Sequence, residues 1–571
     1  MLDKRWVFLD KQADAQAIDR LCAEFGIPPA IAVVLTNRSI TEPQQAKTYL
    51  SRSIANVHHP FLLKDAQRAA QRIGAAIHAG EKIVIYGDYD VDGITSTALL
   101  YQFLQSQGAN VDYYIPNRAD EGYGINILAL QKIRKAGASL LITVDCGITA
   151  VGEVEFAKTI GLEVIITDHH TCKEEIPRAY AVINPKQPEC SYPYKDLAGV
   201  GVAFKLVLAM ALEFGLRARD IFDRYIDIVA IGTVADVVPL TDENRIFVAN
   251  GIKNINHTTN EGLRALFFVS GVSEKRITAG MISFTVAPRI NAAGRVGSAA
   301  MAVELLITGS KERAMEIALA LEEENRQRQL TEQGILKDAL QIVASDPAFE
   351  KKKVYVLAQE DWHHGVIGIV ASRMVDRFYR PTILISLKDG SGKGSGRSVK
   401  GFNLFDALSH CSDLLLKFGG HELAAGLSLN YGDIAEFDRQ INAYADTVLS
   451  EEDLQPAIRI DSCISMQELT VQNAQKMALL EPFGMGNPQP VFALCGASIA
   501  AVRTLSEGKH CKLTLCQGGR YVDALGFGMG ELCGKFVVGD KIDAAFCMDV
   551  NTYHGEQNLQ LILKDARHSL K

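Results

Sequence analysis

The chain has no uninterrupted apolar run of about 18 residues, the length a membrane-spanning helix requires. Its start, Met1-Leu2-Asp3-Lys4-Arg5-Trp6, carries no apolar signal region. A soluble, cytoplasmic protein without a membrane partner is the expectation. Positive charge is scarce: 59 Lys and Arg against 67 Asp and Glu leave a net charge of −8. That argues against a protein that coats nucleic acid nonspecifically, yet leaves room for a local basic groove. Zinc-type cysteine pairs are missing. The eleven cysteines are scattered, with Cys511 and Cys516 too isolated for a zinc site, so reduced core thiols are expected. No repeat or low-complexity tract occurs. The 571 residues, 48% of them hydrophobic, hold core material for about three or four domains.

What is present is a set of acids placed at the ends of apolar runs. Ile83-Val84-Ile85-Tyr86-Gly87 leads into Asp88-Tyr89-Asp90-Val91-Asp92-Gly93, Leu141-Ile142-Thr143-Val144 into Asp145, and Val164-Ile165-Ile166-Thr167 into Asp168-His169-His170. Short β-branched runs alternating with helical stretches read as parallel strands buried on both faces, whose carboxyl ends gather ligands. Carboxylates and imidazoles suit Mn²⁺ or Mg²⁺, and two such ions about 3.5–4 Å apart are a standard device for displacement at phosphorus. A fourth acid, Asp236, follows a similar small-and-branched run, Val229-Ala230-Ile231-Gly232-Thr233-Val234-Ala235. A lone Asp after a strand is more often a turn former or helix cap, so the weight rests on the set and not on any member. An EF-hand is disfavoured, because no Glu stands at the twelfth position from Asp88 and Thr95–Leu100 are apolar or hydroxylic.

Punctuation and periodicity divide the chain. Residues 1–60 read as a helical cap on the catalytic domain and 61–300 as the catalytic α/β domain, with Arg289 to Gly297 as a loop bracketed by Arg289 and Arg295. Residues 301–345 read as a connection: from Ser310 to Ala344 there is no Pro and one Gly, giving either a single helix about 50 Å long or two helices broken near Gly334. Residues 346–452 read as a second α/β domain, with Lys388, Lys393, Arg397 and Lys400 in a Gly/Ser-rich stretch suited to phosphate or to a solvated turn. Residues 453–571 give short strands and Gly-rich turns that suit a small barrel, with Tyr521, Phe527 and Tyr553 as core or base-stacking aromatics.

The four acid motifs, in order and spacing, resemble those of the DHH phosphoesterase superfamily. Within it the chain is similar to bacterial single-strand-specific exonucleases that remove nucleotides from the 5′ end. The resemblance extends through Ile115-Pro116-Asn117-Arg118, Arg289-Ile290-Asn291-Ala292-Ala293-Gly294-Arg295, Ser395-Gly396-Arg397-Ser398, Gly419-Gly420-His421-Glu422 and Pro482-Phe483-Gly484-Met485-Gly486-Asn487-Pro488. It implies an α/β fold: a parallel-sheet DHH catalytic domain, a DHHA1 substrate-binding domain beyond a long helix, and a C-terminal OB-like β-barrel. Two divalent ions are implied, with Asp90 and Asp92 on separate ions, Asp145 bridging them, and His169 with Asp236 completing the coordination of the second ion. His170 would face the scissile phosphate and Asp168 would orient the histidines. Ser395 and Arg397, with Arg118 and Arg289, would grip the 5′-phosphate, and Gly419, Gly420 and His421 would approach the scissile phosphate. One departure stands out: some members carry a His where this chain has Tyr86, leaving Asp88 or water to complete the coordination of the first ion.

By the same resemblance the substrate is single-stranded DNA, released as 5′-mononucleotides in repair and recombination. A helicase and a single-strand-binding protein are implied partners, and a monomer the implied state. Small-substrate relatives, such as cyclic-dinucleotide phosphodiesterases, lack a counterpart to the last hundred or so residues. Manganese pyrophosphatases differ at the Gly-Gly-His pattern, and scaffold relatives lose the metal ligands that this chain retains.

Overall fold

The computed structural model describes residues 3–10, 14–117, 124–294, 299–553 and 556–569. The chain forms two compact units: residues 47–326 with 479–489, and residues 1–46, 327–478 and 490–571.

The first unit is built on a five-stranded, all-parallel sheet. Its order across the sheet is Asn110–Tyr114, Lys82–Gly87, Leu140–Val144, Glu163–Thr167, Ala181–Ile183. Strand side chains alternate between two buried faces. Ile83, Ile85, Leu140, Ile142 and Ile165 enter one core, while Val84, Tyr86, Leu141, Val164 and Ile166 enter the other. That double burial is why the runs read as nearly continuous apolar stretches. From Lys82–Gly87 the chain crosses first to Asn110–Tyr114 on one side and then to Leu140–Val144 on the other. Connections that diverge in this way leave a crevice at the carboxyl ends of the two strands.

Helices close one face. Val91–Ser106 is buried through most of its length, as is Gly199–Glu213. The Val229–Val234 run is also helical, the end of Ala218–Ala235. Its β-branched residues reflect burial on all sides, a case in which apolar runs do not distinguish strand from helix. Gly232 permits the packing, since a Cβ there would stand 2.2 Å from Thr95 Oγ1 and 2.8 Å from Val200 Cγ1. Arg289 lies in the helix Ala287–Ala293 and not in a loop.

In the second unit, one sheet runs Lys417–Gly420, Ala424–Asn430, Ser391–Arg397, Thr382–Lys388, Tyr355–Glu360, antiparallel but for the last pair. The C-terminal strands Phe492–Leu505, His510–Gln517, Arg520–Gly526, Glu556–His568 and Lys541–Tyr553 close into a barrel through the pairing of the first with the last. Residues 1–46 belong to this unit, which corrects the expectation of an N-terminal cap on the catalytic domain. The strand Arg5–Phe8 pairs in parallel with Ala457–Ile460. Trp6 Nε1 donates to Asp565 Oδ2 at 2.8 Å, with the Arg567 guanidinium 4.2 Å from its ring. The connection contains one unbroken helix, Lys311–Ser345, about 50 Å long. Gly334 does not interrupt it, because a single Gly costs only about 1 kcal/mol within a helix.

None of the eleven cysteines, all among the described residues, forms a disulfide. Among the described residues no helix is long and apolar enough to cross a membrane. Gly232→Val is expected to cost about 1–3 kcal/mol through overpacking against Thr95 and Val200, seen as a lowered thermal unfolding midpoint.

Candidate functional site

The crevice of the first unit collects the acids. Asp88 and Asp90 follow Lys82–Gly87, Asp145 follows Leu140–Val144, and Asp168-His169-His170 follows Glu163–Thr167. Asp236 arrives from a different element, as the cap residue at the end of helix Ala218–Ala235. Three groups have ligand atoms within 4.8 Å of one another: Asp88 with Asp90 and Asp145, Asp92 with His169 and Asp236, and Asp145 with His169 and His170. His169 Nε2 stands 3.3 Å from Asp145 Oδ1, 3.6 Å from Asp236 Oδ2 and 3.9 Å from Asp92 Oδ2. Asp145 therefore belongs to two groups, and His169 joins it to the acids at the other side.

Each group is held by backbone. Asp90 caps helix Val91–Ser106, accepting from Gly93 N at 3.0 Å. Asp92, in the first turn, accepts from Gly199 N at 2.6 Å and Val200 N at 2.8 Å, the first residues of helix Gly199–Glu213. A carboxylate at a helix N-terminus meets free N–H donors and a favourable dipole. Asp168 Oδ1 accepts from the backbone N of His169 and of His170 at 2.7 and 3.1 Å, and contacts His170 Nδ1 at 2.7 Å. Its Oδ2 accepts from Ile148 N at 2.9 Å. With both oxygens engaged, Asp168 orients the histidine pair. Gly199 leaves room for Asp145, since a Cβ there would lie 2.6 Å from Asp145 Oδ1.

Two residues at the site hold left-handed backbone: Asp145 at φ 59° and Val237, next to Asp236, at φ 62°. The conformation is tolerable for Asp but costs β-branched Val on the order of 1–2 kcal/mol. Strain of this kind persists where the surroundings impose it.

Burial, then the charge of Asp90, pushes Asp92 up to about 7. Burial and then the neighbouring acids raise Asp145 and Asp236 well above the usual carboxylate range. Burial and then His170 hold His169 down at about 4, leaving it neutral at pH 7 and able to act as a ligand. Burial opposes charge on both His170 and Asp168, but their mutual hydrogen bond, the attraction between charges and, for Asp168, backbone donors together outweigh it, raising the imidazole and lowering the carboxyl. Among the described residues no donor reaches the buried Asp145 Oδ1 or Asp236 Oδ2. Hard oxygens crowded without donors, beside a neutral imidazole, fit divalent Mn²⁺ or Mg²⁺.

Tyr86 takes no part in the groups. Its hydroxyl donates to Gly124 O at 2.9 Å, and its ring stacks on Tyr114. Asp88 stands instead in the group with Asp90 and Asp145. Arg289 donates to the Glu322 carboxylate and to the Thr285 carbonyl. Arg118 lies outside the described residues, as do Arg295 and the side chain of Tyr553.

The other unit brings Ser395 and Arg397 together beside a helix N-terminus. Arg397 Nη1 donates to Ser395 Oγ at 3.1 Å and Gly396 O at 2.7 Å. Both residues lie against Gly368 in the first turn of helix Ile367–Phe378, where a Cβ would stand 2.8 Å from Ser395 Oγ and 3.0 Å from Arg397 Nη2. No described side chain caps that helix. The N–H groups of Val366 and Ile367 already donate to His363 O at 2.9 and 3.2 Å, so it is the Arg and the hydroxyl, beside the positive end of the helix, that suit a phosphate. Sequence reasoning missed this helix, although Trp362-His363-His364-Gly365-Val366-Ile367-Gly368 places two His and a Gly just before an apolar run. His421 is exposed at the turn between Lys417–Gly420 and Ala424–Asn430, donating its backbone N–H to Ala424 O at 2.9 Å. Gly419 and Gly420 pair with Gly426 and Ala425, and Gly420 at φ 149° has no room for a side chain beside Ala424 and Ala425. Tyr521 and Phe527 are exposed at 67% and 57%, so neither is core.

Comparison with known proteins gives matches to the DHH family, N-terminal domain, over residues 82–233, the DHHA1 domain over 350–447 and the RecJ OB domain over 460–565. The chain is 40% identical over 565 residues to the single-stranded-DNA-specific exonuclease RecJ of Bacillus subtilis (strain 168), spanning 98% of this chain and 70% of that protein. It is similar to the crystal structure of RecJ in complex with Mn²⁺ from Thermus thermophilus, with a TM-score of 0.85, 32% identity and coverage of 99% of this chain and 80% of that one. The Mg²⁺ complex from the same organism gives a TM-score of 0.79 at 30% identity, covering 99% of this chain and 79% of that one.

Because burial and mutual repulsion raise Asp92, Asp145 and Asp236, the metal-free cluster retains protons near neutrality, and a cation must displace them. Calorimetric titration with Mn²⁺ at about pH 6–7 is therefore expected to show net proton release, read from the dependence of heat on buffer ionisation enthalpy, and less release at about pH 9.

Proposed function

The chain belongs to the RecJ family of single-stranded-DNA-specific exonucleases, and from that membership we propose that it removes 5′-mononucleotides from the 5′ end of single strands by two-metal phosphodiester hydrolysis, in DNA repair and recombination. It is a metal-dependent nuclease acting on single-stranded DNA. The observation that carries the finer reading is the three interlocking ligand groups, two of which share Asp145.

Asp88, Asp90 and Asp145 would hold one Mn²⁺ or Mg²⁺, and Asp92, His169, Asp236 and the shared Asp145 the other. Bound there, the ions neutralise charge developing on the phosphate and acidify an attacking water. Asp92 is aimed by the N–H groups of Gly199 and Val200, which fix its carboxylate at the centre. His170 keeps its Nδ1 on Asp168, which orients the ring so that Nε2 would donate toward a phosphate oxygen. Asp168, at the N–H groups of three residues, keeps the pair His169-His170 in register with Asp145.

Ser395, Arg397 and the N-terminus of helix Ile367–Phe378 would bind the terminal 5′-phosphate, and His421, with the close backbone of Gly419-Gly420, a further phosphate of the strand. Arg397 presents a planar fork that matches phosphate. A helicase and a single-strand-binding protein are the partners this role implies, with a monomer as the acting form.

Digestion of an internally labelled single strand with Mn²⁺, beside its duplex and its 5′-blocked form, tests the reading. Mononucleotides should appear only from the free 5′ end, and Asp145→Ala should reduce the rate by about 100-fold or more. Activity confined to di- to tetranucleotides or cyclic dinucleotides would overturn it. Arg397→Ala should weaken use of 5′-phosphorylated ends by about 10-fold or more while sparing Mn²⁺ binding, as loss of a charge-assisted hydrogen bond predicts.

A further inference from the structure

Asp236 comes to the ligand groups from the C-terminal end of a helix. It follows helix Ala218–Ala235, and after five intervening residues Asp242 begins the next helix. The intervening turn must hold Val237 at φ 62° although that residue is 57% exposed, so packing of Val237 itself does not enforce the bend. Something else must.

The restraint comes from far along the chain. Residues 479–489 leave the barrel-bearing unit and join this one, with both ends continuing directly into the former. Leu240 N donates to Met485 O at 2.7 Å. A Cβ on Gly484 would lie 2.7 Å from Leu240 Cδ1, and one on Gly486, at φ 67°, would lie 3.0 Å from Pro239 Cβ and 3.3 Å from Pro239 Cα. The two glycines therefore let the segment lie directly against the turn. Tyr194 Oη and Asn244 Nδ2 add a second hold, each donating to Pro239 O at 3.0 Å.

The segment is itself fixed. The buried Arg245 donates to Leu480 O at 2.8 Å and Leu479 O at 3.1 Å, with its guanidinium 3.9 Å from the Tyr49 ring. Asn487, also buried, donates to Leu480 O at 2.9 Å and Pro482 O at 2.6 Å, and accepts from Tyr49 Oη at 2.7 Å. Arg276 Nη2 meets Glu481 Oε2 at 2.9 Å. These bonds commit buried polar groups to one backbone shape, which is how a rigid support is made.

We propose that Glu481–Pro488 is a positioning latch that sets the turn after Asp236 and so tunes the affinity of the ion that Asp92, His169 and Asp236 hold. The inference rests on the reading of Asp236 as a metal ligand. Its key residues are Gly484 and Gly486 for fit, and Asn487, Tyr49 and Arg245 for rigidity. They act through the turn and not by contact with substrate or metal.

The test is a double-mutant cycle in the full chain, read by Mn²⁺ titration with electron paramagnetic resonance. Gly486→Ala should weaken Mn²⁺ binding at the site of Asp92, His169 and Asp236, the one that Asp236→Asn perturbs, about tenfold, or about 1.4 kcal/mol. At limiting Mn²⁺ it should lower kcat with KM for single strands unchanged, and excess Mn²⁺ should restore the rate. In an Asp236→Asn background it should have no further effect on Mn²⁺ affinity, because coupled residues are not additive. Should Gly486→Ala not fold, Tyr49→Phe removes one hydrogen bond of the latch and should weaken the same site about two- to fivefold. If Asp236→Asn weakens Mn²⁺ binding while the latch variants do not, or if their effects add, the latch is overturned. If Asp236→Asn leaves Mn²⁺ binding unchanged, the ligand reading of Asp236 falls, and the latch with it.

Discussion

Repulsion among carboxylates confined to a buried crevice is the constraint on which the catalytic unit depends. Two unit charges about 4 Å apart repel by about 4 kcal/mol even at an effective dielectric of 20. Here Asp88, Asp90, Asp92, Asp145 and Asp236 converge, and Asp92, Asp145 and Asp236 resist ionisation, through burial first and through their neighbours' charges second. A protein keeps such a cluster only if the backbone around it is over-determined. The pairing of parallel strands fixes Asp88 and Asp145, helix N-termini fix Asp90 and Asp92, and Gly199 clears the space beside Asp145. The remaining charge is relieved by cations, so the same crowding that costs stability without metal supplies affinity with it.

Within the Asp168-His169-His170 run, three adjacent residues have three environments. Asp168 is saturated by donors and kept ionised, His169 is buried and kept neutral, and His170 is partly exposed and favoured as the cation. Three environments thus come from one turn after one strand. The pKa values are pushed apart by burial first, then by the hydrogen bonds and charges around each group. The other unit sets an arginine and a serine against Gly368, in the first turn of helix Ile367–Phe378. That arrangement suits a phosphate without any need for a metal.

Much of the catalytic sheet was legible because parallel strands buried on both faces write themselves as apolar runs, and acids at their ends have few other reasons to recur. Legibility failed where several structures share one pattern. Val229–Val234 reads like a strand and is a helix, because burial on all sides erases the period that distinguishes them. Arg289 gives no local sign of a partner, yet it pairs with Glu322, 33 residues away. Residues 1–60 read as a cap on the catalytic domain, yet within them Arg5–Phe8 completes a pairing with Ala457–Ile460 more than 450 residues later. Partners that distant leave no local trace.

The sequence by itself determined the chemistry available: which acids and histidines follow which strands, which glycines flank them, and that a small barrel ends the chain. These follow from local rules of period, turn chemistry and burial, which act over a few residues. Only the tertiary structure decided which atoms share a ligand group, which carboxyls resist ionisation, which arginine is already engaged, and that residues 479–489 lie against the turn after Asp236. Distances of about 3 to 4 Å, and the burial that sets each proton's affinity, arise when elements far apart in sequence pack together, and no window of the chain contains them.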